Sequence, residues 1–504
     1  MRRVLARGIA AGLALAAFAS VSALAAGSEA PAAPEPRISP GITWGGCPAD
    51  LARGLRCGTL DVPLDHDRPD SRTTRLAVAL AQATGPGPRL GTLVVNPGGP
   101  GGQGMWLAAA VQRALPPDLR ERYDIVGIDP RGNGHSSPIQ CVDTQTYDRA
   151  PKPDPVPRTA ADKQALIARA RAYAEGCADR GGDLLAHVST LDNAHDIDAV
   201  RVALGERKIS YLGWSYGTYL GAVYAQLHPD RVDRLVLDSI VDPTPQGIWY
   251  GVNLGQDIAF QARWRDFTRW AARHDDVLRL GTAPDQVEGT FARVLAGVRA
   301  APAGAVGPAE VYDIVTSALY DDDRWNGLAR ALRRYLDGDP APLTALNEPP
   351  DERKANAVAV YTAVECGDAE WPRDWAVWDR DADALNRANP LLTWPNTWLN
   401  APCAFWPRTG RTPPAINGAG LRGALLVQNE RDAATPLAGA VAMHRALPTS
   451  RLVTVREAGS HGVLVFNPNR CAADAAWAYL RDGTLPATDV LCQGATEPQA
   501  GGPR

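Results

Sequence analysis

Residues 208–230 read KISYLGWSYGTYLGAVYAQLHPD, and this stretch limits the possible folds more than any other. An apolar run with strand character ends in Gly213-Trp214-Ser215-Tyr216-Gly217, and a helical run follows at once. Ser215 must therefore occupy a sharp, strained turn from strand into helix, where side chains two positions away would collide with neighbouring elements and glycine is tolerated. Such a turn exposes the serine hydroxyl at the positive end of the helix. The same alternation recurs elsewhere. TLDVPL, RLAVALAQA, LGTLVVN, YDIVGID and RLVLDSI are short β-rich runs, and from residue 100 onward helical stretches separate them. Strands alternating with helices imply an α/β protein with a mostly parallel central sheet and helices on both faces. In DNAHDIDAVRVALG, Asp192 is the expected N-cap, and Ile197, Val200, Val202 and Leu204 are the expected apolar positions.

A serine hydroxyl becomes a nucleophile only when a base takes its proton. Of eight histidines, His461 differs from the rest: it follows the strand RLVTVRE in a Gly-Ser-His-Gly loop whose small neighbours would let the ring approach Ser215. The third requirement is a carboxylate that fixes the imidazole tautomer and stabilises its cation. Asp432 ends the strand ALLVQNERD, which gives the chain order Ser, Asp, His of an α/β-hydrolase. Asp238, at the end of RLVLD, is the rival, because the acid can also sit one strand earlier.

NPGGPGGQG, residues 96–104, satisfies the dinucleotide fingerprint G-x-G-x-x-G between a strand and a helix. Pro100 argues against a phosphate cradle, since it removes an N–H from the middle of the supposed nest. The loop has a better use as half of an oxyanion hole, with the N–H groups of Gly99 and Tyr216 as donors. No cofactor is then required. The chain also lacks C-x-x-C and H-E-x-x-H, so no metal site is expected.

NPGGPGG, GIDPRGNGHS, GWSYGTYLG, NERDAATP and GSHG, in this order behind an export signal, resemble the secreted tripeptidyl aminopeptidases of actinobacteria, relatives of proline iminopeptidase. The resemblance spans nearly all of the mature chain. It implies an α/β-hydrolase fold with a helical cap and a TAP-like C-terminal region, acting on peptide substrates with a free N-terminus. It maps the triad onto Ser215, Asp432 and His461 and the oxyanion loop onto Pro97-Gly98-Gly99-Pro100. One departure is Pro97, where relatives of the iminopeptidase type carry histidine; the N–H of Gly99 is retained. An esterase or amidase acting on a small natural product would use the same triad and differ only in the cap. An aminopeptidase also needs an anion for the substrate ammonium. Glu365 and Asp368, in AVECGDAEW, are the expected candidates, with solvated surface acids as the alternative reading.

The first 25 residues carry Arg2, Arg3 and Arg7, a short Ala-rich apolar run and Ala23-Leu24-Ala25, the pattern of a signal peptide cleaved after Ala25. Secretion, and no membrane attachment after cleavage, are expected; Sec and twin-arginine export stay open. Loss of those arginines moves the formal charge from −4 to −7, which is no signature of nucleic-acid binding. All eight cysteines lie in the mature part, and in an exported protein they read as disulfides. Of 105 possible pairings, sequence neighbours are expected: Cys47 with Cys57, Cys141 with Cys177, Cys366 with Cys403, and Cys471 with Cys492. The expected organisation is a Pro-rich lead over residues 26–43, a first core segment over 44–241, a helical cap over 242–400, a second, TAP-like core segment over 401–493 and a flexible tail over 494–504. Ten of fourteen tryptophans fall between Trp249 and Trp406, which marks the cap as an aromatic-rich insertion. The sequence leaves the oligomeric state open.

Overall fold

A computed structural model describes residues 41–501 apart from 71, 409 and 496. The proposed signal peptide and most of the Pro-rich lead lie outside the described residues. Among the described residues ten strands form one sheet: β1 (Thr43–Gly45), β2 (Arg56–Pro63), β3 (Thr73–Ala81), β4 (Gly91–Asn96), β5 (Tyr123–Asp129), β6 (Ile209–Ser215), β7 (Val232–Ile240), β8 (Ala424–Asn429), β9 (Ser450–Arg456) and β10 (Val490–Gln493). Their spatial order is β1-β2-β3-β5-β4-β6-β7-β8-β9-β10. The first three strands pair antiparallel, as does β3 with β5; every pair from β5 to β10 is parallel. Eight of these strands match the β-rich runs of the sequence. The other two, β1 and β10, are edge strands of three and four residues, too short to show a periodicity.

The parallel strands are apolar on both sides because both faces are covered. One face packs Ile197, Leu220, Val223 and Met443 from the helices Thr190–Ala203, Tyr216–Leu227 and Leu437–Ala446. The other packs Leu107, Val111, Trp477 and Leu480 from Met105–Ala114 and Arg470–Asp482. The helix Thr190–Ala203 is capped by Ser189, whose side chain accepts from the Asp192 N–H, so Asp192 is in the first turn and not the N-cap. Ser189 has the extended backbone that an N-cap requires. Val202 of this helix is exposed, pointing away from the sheet.

Between β7 and β8 the chain builds helices from Val252–Arg273 to Thr393–Asn400. Part of this insertion has its own core around Phe267, Trp270, Val294, Val315, Trp325 and Leu328. The helix Glu352–Asp368 instead joins the sheet's core through Ala359, Val360, Ala363 and Val364. The roof over the sheet has a second source, which the sequence assigned to the core: residues 141–188. Leu166, Ala170 and Tyr173 of the helix Ala160–Arg180 line the same cavity as the insertion, and Trp398 Nε1 donates to the Pro155 carbonyl (2.7 Å). Part of the tail packs on the cap. Pro498 O accepts from Trp270 Nε1 (2.8 Å), Gln499 O accepts from Asn326 Nδ2 (2.9 Å) and Glu497 pairs with Arg273, which holds the chain against the cap as far as Gly501.

Four disulfides join Cys47 to Cys57, Cys141 to Cys177, Cys366 to Cys403 and Cys471 to Cys492, as expected, and no described cysteine is free. Among the described residues no helix is long and apolar enough to cross a membrane. Cys366–Cys403 closes a 37-residue separation across the cap, so in the chain-entropy account the Cys366→Ser/Cys403→Ser variant should lose about 2–4 kcal/mol, read by urea unfolding. An unchanged midpoint would show that the bond adds nothing to this packing.

Candidate active site

β6 delivers Ser215 to the head of the helix Tyr216–Leu227 with φ 54° and ψ −128°, a conformation that non-glycine residues adopt only under strain. Neighbouring groups hold it there. Thr218 Oγ1 donates to the Ser215 carbonyl (2.6 Å) and accepts from the Val241 N–H (3.1 Å), while Tyr211 Oη donates to the Gly217 carbonyl (2.8 Å). Gly217 has to be glycine because a Cβ there would lie 2.8 Å from Asn96 Oδ1.

The loop after β4 backs onto this turn. Gly98 and Gly99 have φ of 88° and 120°, and a Cβ on Gly98 would lie 2.9 Å from Ser215 Cβ and 3.1 Å from the Tyr216 nitrogen. Asn96 Oδ1 accepts from the Gly98 N–H (2.9 Å), and Asn133 Nδ2 donates to the Gly101 carbonyl (2.9 Å). Asp129 accepts from the N–H groups of Gly104 (2.9 Å) and Met105 (3.1 Å), fixing the start of the next helix. GIDPRGNGHS thus supports the glycine loop, with Arg131 anchored on Asp196 at 2.6 Å. The motif GIDPRGNGHS is visible in the sequence, but these supporting roles depend on contacts with distant segments that the motif does not show.

Asp432 follows β8 and is buried. Its Oδ1 accepts from the N–H groups of Ala434 (2.9 Å) and Thr435 (3.0 Å), and its Oδ2 from Thr435 Oγ1 (3.0 Å). His461 Nδ1 lies 3.1 Å from Oδ1 and 2.8 Å from Oδ2, so the proton on Nδ1 faces the carboxylate and Nε2 is left to accept. Burial disfavours the imidazolium, but the charge and hydrogen bond of Asp432 outweigh it and raise the histidine pKa.

Asp238, the rival acid, lies beneath the same loop and does different work. Its carboxylate accepts from the N–H groups of Val463 (3.0 Å) and Leu464 (2.8 Å) and from Trp214 Nε1 (2.7 Å), holding the backbone after His461 and not the ring. Burial pushes it up to about 6.

Ser215, Gly99, Tyr216, Thr435 and Glu365 line one cavity of about 610 Å³ beneath the roof. The structure joins His461 to Asp432 directly; among the described residues no hydrogen bond links Ser215 Oγ to His461, a contact that commonly tightens only with substrate in place. Of the two cap acids, Glu365 faces this cavity and accepts from Asn253 Nδ2 (3.0 Å). Burial, with the nearby Asp368 charge, pushes it up to about 8. Asp368 turns away. It accepts from the Thr190 N–H (2.8 Å), Thr190 Oγ1 (2.5 Å) and Trp249 Nε1 (3.3 Å), tying the cap helix to the core. A serine on a strained turn, an imidazole oriented by a buried carboxylate and backbone N–H groups at a helix start are the parts that acyl transfer requires.

Family comparison agrees with this fold. Residues 91–285 match the alpha/beta hydrolase fold and residues 389–492 the TAP-like protein family. The tripeptidyl aminopeptidase of Streptomyces lividans is 46% identical over 466 residues, covering 90% of this chain and 86% of that protein. The chain belongs to the tripeptidyl aminopeptidase family of α/β-hydrolases. More distant members differ in name. Serine protease Hip1 of Mycobacterium tuberculosis is 31% identical, covering 91% of this chain and 92% of that one. Carboxylesterase B of the same organism is 33% identical, covering 93% and 94%.

Two substitutions separate the acids of this family member. Asp432→Asn should cost about 10⁴-fold in kcat by favouring the wrong tautomer, and the acid limb of kcat/KM, expected above 6.5 in the parent, should move down as the carboxylate's support of the imidazolium is lost. Asp238→Asn should lower the melting temperature and move that limb down less than Asp432→Asn does, because Asp238 acts on the imidazole through its charge alone and makes no hydrogen bond to it. The reverse pattern would make Asp238 the orienting acid.

Proposed function

We propose that the protein is a secreted serine exopeptidase that removes short peptides, most simply tripeptides, from free N-termini. Ser215 is the nucleophile, His461 the general base and then acid, and Asp432 the group that orients the imidazole. Ser215 Oγ attacks the scissile carbonyl carbon as its proton passes to His461 Nε2. The carbonyl oxygen becomes an oxyanion that accepts from the N–H groups of Gly99 and Tyr216. Collapse breaks the C–N bond, and the imidazolium gives its proton to the leaving amine. Water, activated by the same histidine, then releases the peptide from the ester at Ser215.

The observation that carries the peptidase reading is Glu365, a buried carboxyl that faces the cavity of Ser215. A substrate ammonium gives this group a charged partner, whereas a neutral ester gives it none. Family membership supports the same reading, since relatives along almost the whole chain are named as an aminopeptidase and a serine protease. The relative named as a carboxylesterase keeps the esterase reading as the alternative. Secretion rests on the leader sequence together with four disulfides, which form and persist in oxidising compartments.

The pH dependence follows from Glu365. Below about pH 8 the free enzyme holds a proton there, and an ammonium beside it favours the carboxylate, so binding releases that proton. KM for free-amine peptides should therefore rise as pH falls from 8 to 6, a trend that Glu365→Gln should remove. At fixed pH, N-acetylation of the substrate should lower kcat/KM by about 10²-fold or more, because a charge-assisted contact worth about 3 kcal/mol is lost. Equal rates on free and acetylated peptides would favour the esterase reading.

A further inference from the structure

The loop that carries His461 is held from two sides. From the sheet, Gly462 N–H donates to Ser239 Oγ (2.9 Å), Asn429 Nδ2 donates to the Ser460 carbonyl (2.5 Å) and Asp238 holds the next two amides. From the cap, the turn that follows the helix Pro308–Leu319 reaches down onto the same residues. His461 N–H donates to the Tyr320 carbonyl (2.7 Å), and the Tyr320 ring stands edge-on to the imidazole, with centroids 5.5 Å apart at 87°. Asp322 N–H donates to Ser460 Oγ (3.0 Å), which also lies 3.4 Å from Asp321 Oδ1.

That turn is itself anchored. The Asp322 carboxylate pairs with Arg263 on the cap helix Val252–Arg273, and Arg263 is almost fully buried. Its guanidinium also pairs with Asp266 (3.0 Å), lies over the Trp325 ring 4.5 Å from its centroid and packs on the backbone of Gly459, where a Cβ would collide with it. A buried arginine shared by two carboxylates stays fixed, because freeing either partner would leave an uncompensated charge inside the protein.

We propose that the turn 320–322, anchored by Arg263 and Asp322, positions His461, so that the general base is aligned only while the cap is seated on the sheet. Asp322, Arg263 and Ser460 are then positioning residues that touch no reacting atom. Seating the roof over a peptide and completing the base become one event, which couples recognition in the cap to chemistry at Ser215. The charges that act on the ring are those of Asp432 and Asp238, both from the sheet, while the cap turn reaches Ser460 through the Asp322 N–H and Asp321 Oδ1, so a displaced turn changes the orientation of the imidazole toward those carboxylates.

This inference rests on the serine-hydrolase reading, and its test keeps the two apart. Ser460→Ala removes the loop's side of the contact and Asp322→Asn the anchor's charge; the first is small enough to preserve the fold if the second does not. Each should lower kcat about tenfold with KM within twofold, and the acid limb of kcat/KM should move toward the ordinary histidine value. The double variant should be little worse than the poorer single one, since both cut the same link. Labelling of Ser215 by a small fluorophosphonate, which needs the activated serine but no contact with the cap, should slow in parallel. Variants that are labelled at the parent rate, or that only melt earlier with an unchanged pH profile, would overturn the positioning role. A parent protein that is not labelled at Ser215 would instead remove the serine-hydrolase reading itself.

Discussion

The strained backbone at Ser215 is the constraint around which the rest of the structure is arranged. Holding a serine at φ 54° costs on the order of 1–3 kcal/mol, and the fold supplies that from the turn's surroundings. Thr218 and Tyr211 donate to the carbonyls of Ser215 and Gly217, β4 and β7 flank the strand, and the glycine loop after β4 packs on the turn so closely that it excludes a side chain at Gly98. The same geometry that exposes Oγ also places the first N–H of the helix beside it and outside the intrahelical ladder.

Around this turn, carboxylates toward the carboxyl ends of β5, β7 and β8 take separate tasks through the hydrogen bonds they accept. Asp129 fixes the glycine loop, Asp238 the backbone after His461, and Asp432 the imidazole itself. In the cap the division is between Glu365, which faces the cavity, and Asp368, which joins cap to core. Burial raises the pKa of Asp238, Glu365 and Asp368 alike, so their roles are set by their partners and not by their titration alone.

Much of this was legible in the sequence because the informative patterns are local. The serine turn, the glycine loop and the Gly-Ser-His-Gly loop each announce a backbone conformation through small residues at fixed offsets, and the disulfides join sequence neighbours within one region. What stayed hidden depends on contacts between distant segments. Asp238 and Asp432 both end buried strands, and only the spatial path of the loop after β9 decides which one meets the ring. Glu365 and Asp368 are three apart on one helix and so close to one face, yet the small angular offset turns one to the cavity and the other to Thr190. Residues 141–188 read as an ordinary crossover because nothing local marks Leu166 or Tyr173 as facing a cavity. The anchoring of the tail likewise depends on Trp270 and Asn326, far away in the chain.

The most direct measurement of the central claim is trapping of the acyl-enzyme. The protein would be mixed rapidly with the activated ester of a tripeptide bearing a free N-terminus, quenched in acid and mapped by mass spectrometry. One tripeptidyl adduct is expected on Ser215, absent from Ser215→Ala and far slower to form when the N-terminus is acetylated. An adduct on another residue, or turnover by Ser215→Ala above about one thousandth of the parent rate, more than oxyanion stabilisation and binding alone supply, would contradict it.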